Sequence, residues 1–271
     1  MLKSPIGRIG GKAMLTNWLK GFIPEHTCYV EPFCGSASLL FGKEPSWVEV
    51  LNDIDKTLVN LYRCIQNPAK RSKLVEMLQD LPYSRQVFND LKYGTDTPAD
   101  DIELAARYFY LSRASFAGDT VRGGFAVPSV TGRNPARSYQ NAINSLEAVA
   151  SRLRGVTIEC LPYNEVIRRY DSPSTFFYID PPYLESEHYY GDGFTVTDHF
   201  ELAAILHQVK GKAMVSHYDN DVYRSLYQDF NCYHRRSFKG AFKSSGEKKP
   251  KTVECVWTNY RPARTRTLFE G

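Results

Sequence analysis

Asp180-Pro181-Pro182-Tyr183 closes the apolar, strand-forming run "FFYID", and the four residues together suggest chemistry on an amine. Proline has no N–H to give to a sheet ladder, so the strand must stop at Asp180. A carboxylate, a prolyl carbonyl and an aromatic ring are then left at one strand end. An exocyclic amine on a heteroaromatic ring is a poor nucleophile, because its lone pair is delocalised. A carboxylate and a carbonyl that each accept one N–H can hold such an amine and disperse the positive charge that grows as it attacks. The ring of Tyr183 offers a face on which a planar base could stack. No covalent enzyme intermediate is needed.

A second group of residues has the character of a cofactor turn. In "TCYVEPFCGSAS" a short strand, Thr27 to Glu31, runs into a tight turn at Gly35, and a helix opens near Ser36. The plan repeats in "SWVEVLNDIDKTLVNLY", where Asp53 follows a strand that ends near Asn52. Ligands of open parallel sheets bind outside the carboxyl ends of the strands, and an acid after the second strand suits the ribose hydroxyls of an adenosine. Gly35 lacks the companions of a G-x-G-x-x-G fingerprint, and no Walker A pattern is present. A nucleoside without phosphates therefore suits the turn better than a dinucleotide, and S-adenosylmethionine is the sharpest candidate.

The elements that must position these groups alternate. "GVTIEC", "STFFYID" and "KAMVSHYD" read as further strands, with a helix over Glu201 to Val209 between the last two. Alternation of this kind predicts an α/β fold with a mostly parallel sheet and helices on both faces. "NCYHRRSF" and "TVECVWTNY" flank a Gly/Ser/Lys stretch and predict a closing antiparallel hairpin. From about Leu61 to Leu153 the pattern is mainly helical and is broken by "SFAGDTVRGGFAVPSVTGRNPARS". The chain thus divides into a catalytic domain, 1–60 and 154–271, and an insertion, 61–153, with a basic loop or hairpin around 113–137.

Composition narrows the function class. Hydrophobic residues at 42% and charged residues at 24% are ordinary for a globular protein, and no apolar run approaches the ~20 residues of a membrane span. The N-terminus does not read as a secretory signal, and the protein is expected in the cytoplasm. The six cysteines, Cys28, Cys34, Cys64, Cys160, Cys232 and Cys255, are scattered with no C-x-x-C, and no H-E-x-x-H occurs. Reduced thiols and no metal are the expectation. The net charge is only +4, but four arginines and one acid lie between Tyr108 and Tyr139. Seven basic residues face a single Glu247 between Tyr233 and Lys251. One such cluster is ordinarily a solvated face; two acid-poor clusters interleaved with aromatics and glycines point to a polyanion.

Taken in order, "RIGGK", "EPFCGSAS", "NDID", "ECLPY", "YIDPPY" and the basic closing hairpin resemble the Dam-type (D12 class) DNA adenine-N6 methyltransferases over most of the chain. The resemblance implies a seven-stranded Rossmann-like methyltransferase sheet with a target-recognition insertion. It implies methyl transfer from S-adenosylmethionine to adenine in double-stranded DNA, by flipping the base, in a bacterial or phage-encoded enzyme such as a restriction-modification methyltransferase. No oligomer is required. It places Arg8, Gly10, Lys12, Glu31, Phe33, Gly35, Ser36, Ala37, Asp53, Tyr163 and Asp180 around the cofactor. Asp180, Pro181 and Tyr183 would act on the base. Arg113, Ser115, Phe116, Arg122, Arg235, Lys239 and Lys243 would meet DNA. Arg8 stands where relatives often carry an aromatic, and Ala37 where a second glycine is usual.

Rival readings are methylation of cytosine N4 or of RNA, and a non-catalytic DNA-binding module on the same fold. Cytosine-C5 chemistry would want a nucleophilic cysteine in a Pro-Cys pair, and the chain has none.

Overall fold

The computed structural model describes residues 2–8, 10–184, 194–238 and 251–263. The strands are β1 (Cys28–Glu31), β2 (Val48–Asn52), β3 (Val156–Glu159), β4 (Thr175–Ile179), β5 (Lys212–Tyr218), β6 (Asn231–Phe238) and β7 (Lys251–Thr258). They form one seven-stranded sheet in the order β3-β2-β1-β4-β5-β7-β6. The pairs β1–β2, β1–β4 and β4–β5 are parallel, whereas β7 runs antiparallel to both β5 and β6. The mixed sheet with its closing hairpin is the architecture that the strand–helix alternation predicts.

The helices are α1 (Thr16–Lys20), α2 (Ser38–Gly42), α3 (Lys56–Gln66), α4 (Pro68–Asp80), α5 (Arg85–Tyr93), α6 (Asp101–Ala114), α7 (Pro135–Asn144), α8 (Leu146–Leu153), α9 (Tyr163–Tyr170), α10 (Val196–Leu206) and α11 (Asp221–Leu226). By contact the chain falls into two compact units. One comprises Met1–Ala13, Gly35–Gly42 and Asp53–Cys160; the other comprises Met14–Cys34, Lys43–Asn52 and Leu161–Gly271.

In the first unit the helices gather around α6, which packs on α3, α4, α5 and α7. Its Ala105 and Ala106 let neighbours approach, while Phe109 and Tyr110 fill the centre; all four are buried. Tyr139 of α7 closes this core, stacked edge-on to Tyr110 and donating its hydroxyl to the Leu78 carbonyl at 2.8 Å. Helix starts follow local capping chemistry. Asp55, Asn67, Ser84, Asp100 and Asn134 each accept an amide of the first turn, and Pro68 and Pro135 open α4 and α7 where no N–H is needed.

In the second unit every residue of β4 is buried, as expected of a central strand covered on both faces. Phe177 and Ile179 share one core with Val30, Val215, Leu202, Leu206 and Trp257. Burying each large apolar side chain contributes roughly 1.5–3 kcal/mol, enough to fix where β4 ends. The helix expected over Glu201 to Val209 begins earlier, at Val196, because Thr195 and Asp198 form a reciprocal capping box. Of the loop or hairpin expected around 113–137, the structure shows the loop. It makes a single bridge, Ser115 to Phe125, and one 3-10 turn at Phe116–Gly118.

Candidate active site

In the first unit the site is built around Asp53, immediately after β2. One carboxylate oxygen accepts the Gly35 amide at 2.9 Å, and the other accepts the Asp55 amide at 3.0 Å. Burial holds this carboxyl above the ordinary carboxylate range, against the opposing pull of Arg8 and the two amides. Gly35 takes φ +46°, which only glycine adopts without strain, and its carbonyl accepts the Tyr62 hydroxyl at 2.9 Å. Ala37 also lies in the left-handed region, at φ 49°, and is fully buried. A residue with a Cβ held there costs about 1–2 kcal/mol, and strain of this kind gathers at ligand-binding turns. Ser36 Oγ and Ser38 Oγ lie 2.9 Å apart at the start of α2.

The N-terminal segment belongs to the same group. Gly10 is at φ +76° and its carbonyl accepts the Lys12 ammonium at 2.9 Å, although Lys12 is buried. Arg8 Nη1 donates to Asp55 Oδ2 and to the Tyr108 hydroxyl, each at 3.1 Å. Asp55 therefore spends one oxygen on Arg8 and the other on the first amides of α3. Asp55 and Tyr108 are both partners of Arg8, and sequence reasoning passed over both. The doublet of acids in "NDID" was the signal available.

In the second unit Glu31, at the end of β1, is buried and accepts the Tyr29 hydroxyl at 2.6 Å. Asn52 ties the strand ends together. Its side-chain nitrogen donates to the carbonyls of Pro32 and Leu161, both at 2.9 Å, and its oxygen accepts the Leu161 amide at 2.8 Å. Phe33 stacks on Tyr163 with ring centres 5.3 Å apart, and Phe194 meets both rings. The result is an aromatic niche in which burial, reinforced by Asp198 and Glu201, pushes the Tyr163 hydroxyl up to about 12.

The same unit holds Asp180 to Tyr183. Tyr178 and Ser216 lie 3.2 Å apart at their hydroxyls, and Ser216 Oγ donates to Asp180 Oδ1 at 2.9 Å. This fixes the carboxylate at the strand end. Tyr183 is only 7% exposed: it stacks on His217 at 4.3 Å, meets Tyr218 edge-on at 4.6 Å, and donates its hydroxyl to buried Glu254. The ring that the sequence offered as a stacking platform is thus a packed member of the site. Burial and the carboxylates of Glu254 and Asp180 hold its hydroxyl far above the usual tyrosine range. Ser216, His217 and Glu254 are the residues that sequence reasoning missed here. They lie far from the Pro-Pro turn along the chain, and only the pairing of β5 with β4 and β7 reveals them.

The expected DNA-facing residues divide. Arg122 is exposed, and its amide is held by Asp119 at 2.7 Å. Phe116 is half-buried, with the Arg133 guanidinium 5.8 Å from its ring centre. Ser115 is buried, and Arg113 spends Nη2 on the carbonyl and hydroxyl of Ser138 at 3.0 and 2.6 Å. Arg235 is exposed on β6, whereas Lys239 and Lys243 lie outside the described residues. Among the described residues no cluster of three or more His, Cys, Asp or Glu could hold a metal ion, and no helix is long and apolar enough to cross a membrane.

A model of the D12 class N6 adenine-specific DNA methyltransferases matches residues 9–239. The chain belongs to this family. Similar proteins include the Retron Ec67 DNA adenine methylase of Escherichia coli, 27% identical over 94% of this chain and 93% of that protein. The type II methyltransferase M1.LlaDCHI of Lactococcus lactis subsp. cremoris is 27% identical, with 93% of each chain covered. The DNA adenine methylase of Salmonella typhi is 27% identical over 91% of each. As a D12 class enzyme the protein is an adenine-specific DNA methyltransferase, its substrate is DNA, and a methyl donor must bind it. Adenine methylation acts on an exocyclic amine, chemistry to which a carboxylate fixed at a strand end is suited.

Proposed function

We propose that the protein uses S-adenosylmethionine as methyl donor and methylates N6 of an adenine flipped out of duplex DNA, with Asp180 and the Pro181 carbonyl as the groups that receive the amine. The observation that carries this reading is the Asp180 carboxylate fixed by Ser216 immediately before two prolines. The donor set suits an adenosine bearing no phosphates. Asp53 stands at a glycine turn to accept ribose hydroxyls, and Phe33 and Tyr163 provide an aromatic niche for the adenine ring. Lys12 and Gly10 flank the methionine part, and Glu31, Ser36 and Ala37 belong to the cofactor loop. Arg8 acts through Asp55 and α3. S-adenosylmethionine supplies a methyl group on a sulfonium sulfur.

Each residue then has a physical role. Asp180 accepts one N–H of the amine, and the Pro181 carbonyl accepts the other. The positive charge that develops on nitrogen meets a fixed carboxylate, which stabilises the transition state more than the ground state. Because these acceptors cannot reach an amine inside the stack, the base must leave the duplex, at a cost of a few kcal/mol. Residues 61–153 serve as the target-recognition domain, with Phe116 and Arg122 towards DNA, and residues 1–60 and 154–271 as the catalytic domain.

The test uses Asp180→Ala and a duplex carrying 2-aminopurine at the target adenine. The wild-type protein should raise the fluorescence on binding, and Asp180→Ala should do the same yet transfer almost no methyl group. N6-methyladenine should be the product. Full activity in Asp180→Ala, or N4-methylcytosine as product, would sink the assignment.

A further inference from the structure

Pro181 and Pro182 have no N–H, so the first backbone amides of the turn after β4 that can donate to a tether are those of Tyr183 and Leu184. In the second unit the Leu184 amide donates to His217 Nε2 at 2.9 Å. That bond fixes the tautomer: Nε2 accepts, so the proton sits on Nδ1, which faces the Tyr218 carbonyl at 2.8 Å. The imidazole cannot turn away. It lies between Tyr183, 4.3 Å between ring centres and 30° between planes, and Tyr223, 3.7 Å and 19°. Tyr223 is held in turn by His199 Nδ1 at 2.7 Å from its hydroxyl and by Asn220, whose side chain accepts the Tyr223 amide at 2.9 Å. The Asn220 side-chain nitrogen lies 3.0 Å from His217 Nδ1; with the proton on Nδ1 it donates instead to the Tyr218 carbonyl at 2.9 Å, which helps to seat the ring.

A buried histidine at a strand end is ordinarily a satisfied core residue. This one differs because its acceptor nitrogen is spent on the backbone of the turn that carries the reacting groups. We propose that His217 is a positioning residue for methyl transfer. Its neutral Nε2 anchors the Leu184 amide and so holds the Pro181 carbonyl and the Asp180 carboxylate in register with the incoming amine. The carbonyl direction is set by the backbone of Pro181 and Pro182, and that backbone is pinned at one end by β4 and at the other by this bond. The inference rests on Asp180 to Tyr183 being the reacting turn.

Two substitutions separate the acceptor from the ring. His217→Phe keeps the stack between Tyr183 and Tyr223 and removes the acceptor. His217→Gln can place its amide oxygen where Nε2 lies and removes the ring. Methyl transfer to unmethylated genomic DNA should show kcat reduced at least about tenfold in His217→Phe, since a misplacement of roughly 1 Å can cost about a hundredfold. The KM values for donor and DNA should stay within about threefold of wild type, because the lost interaction acts on the transition state. His217→Gln should recover most of the lost kcat. Wild-type kcat in His217→Phe would overturn the proposal. So would parallel losses in both variants, whether of kcat or of the folded state by thermal unfolding, since His217 would then be a packing residue. Activity in Asp180→Ala would remove the reacting turn itself, whereas the contrast between Phe and Gln judges His217 alone.

Discussion

At the scale of single residues, the Asp53 carboxylate holds the Gly35 and Asp55 amides, one on each oxygen, and is the acceptor proposed for the ribose hydroxyls. Asp53→Ala should weaken S-adenosylmethionine binding by roughly 1.5–3 kcal/mol, about ten- to a hundredfold, measured by calorimetry on the folded variant. Unchanged affinity would mean the ribose is held elsewhere. The same residue gives a pH dependence. Burial raises the Asp53 carboxyl above its ordinary value, and ligand hydroxyls prefer the ionised form. Affinity should therefore be full above the raised value and fall as the pH drops through it, by up to about tenfold per pH unit. Asp53→Asn should flatten this dependence, and a pH profile that persists in that variant would assign it to another group. The place of Asp53 after β2 and beside the Gly35 turn was legible in the sequence, because the strand before it is a short apolar run. The contacts of Asn52, Asp55 and His217 were not, because their partners are encoded by no local pattern. Asn52 and Leu161, for example, share a hydrogen bond across two strand ends.

At the scale of elements, the strands were legible because each is a short apolar run bounded by breakers, and β4 stops where Pro181 removes the next ladder donor. The long segment after α6 was not, since glycine, arginine and phenylalanine suit a hairpin as well as an irregular loop. Its turn is set by positive-φ residues. Ala117 is exposed at φ 58°, and Gly118 follows at φ +71° against the backbone of Gly7 and Arg8. Neighbouring substitutions should therefore act in opposite directions. Ala117→Gly relieves a left-handed alanine worth about 1–2 kcal/mol and returns part of that in unfolded-chain entropy, for a net gain of roughly 0.5–1 kcal/mol. Gly118→Ala would put a Cβ 2.5 Å from the Gly7 carbonyl carbon and 2.7 Å from the Arg8 nitrogen, backbone atoms with little room to yield. A loss of roughly 2–3 kcal/mol is expected. Urea denaturation of the two variants decides the matter. A stable Gly118→Ala protein would show that the loop does not rest on the N-terminal segment.

At the scale of the whole molecule, a net charge of +4 says little until its distribution is read. Segregation of acid from base along the chain was legible, and it pointed to a polyanion before any element was placed. Which cations face outward was not legible, because Arg113 is drawn inward to Ser138 while Arg235 and Arg236 stay exposed on β6. Opposite them on β7 stand Glu254 and Val253, and Glu254 accepts the Tyr183 hydroxyl. The outward arginines thus belong to the same hairpin that holds Tyr183 in the turn after β4, and they are expected on the DNA backbone. Each phosphate neutralised releases counterions and adds about 0.9 to the slope of log affinity against log salt. Replacing both Arg235 and Arg236 with Gln should lower that slope by roughly 1.8, measured by fluorescence anisotropy on duplex DNA across a salt series. The preferred methylation sequence should be unchanged, since phosphate contacts position a protein without reading bases. A double variant that keeps the wild-type slope would make this pair a solvated face, and the electrostatic footprint would then have to come from the exposed arginines of the loop that carries Arg122.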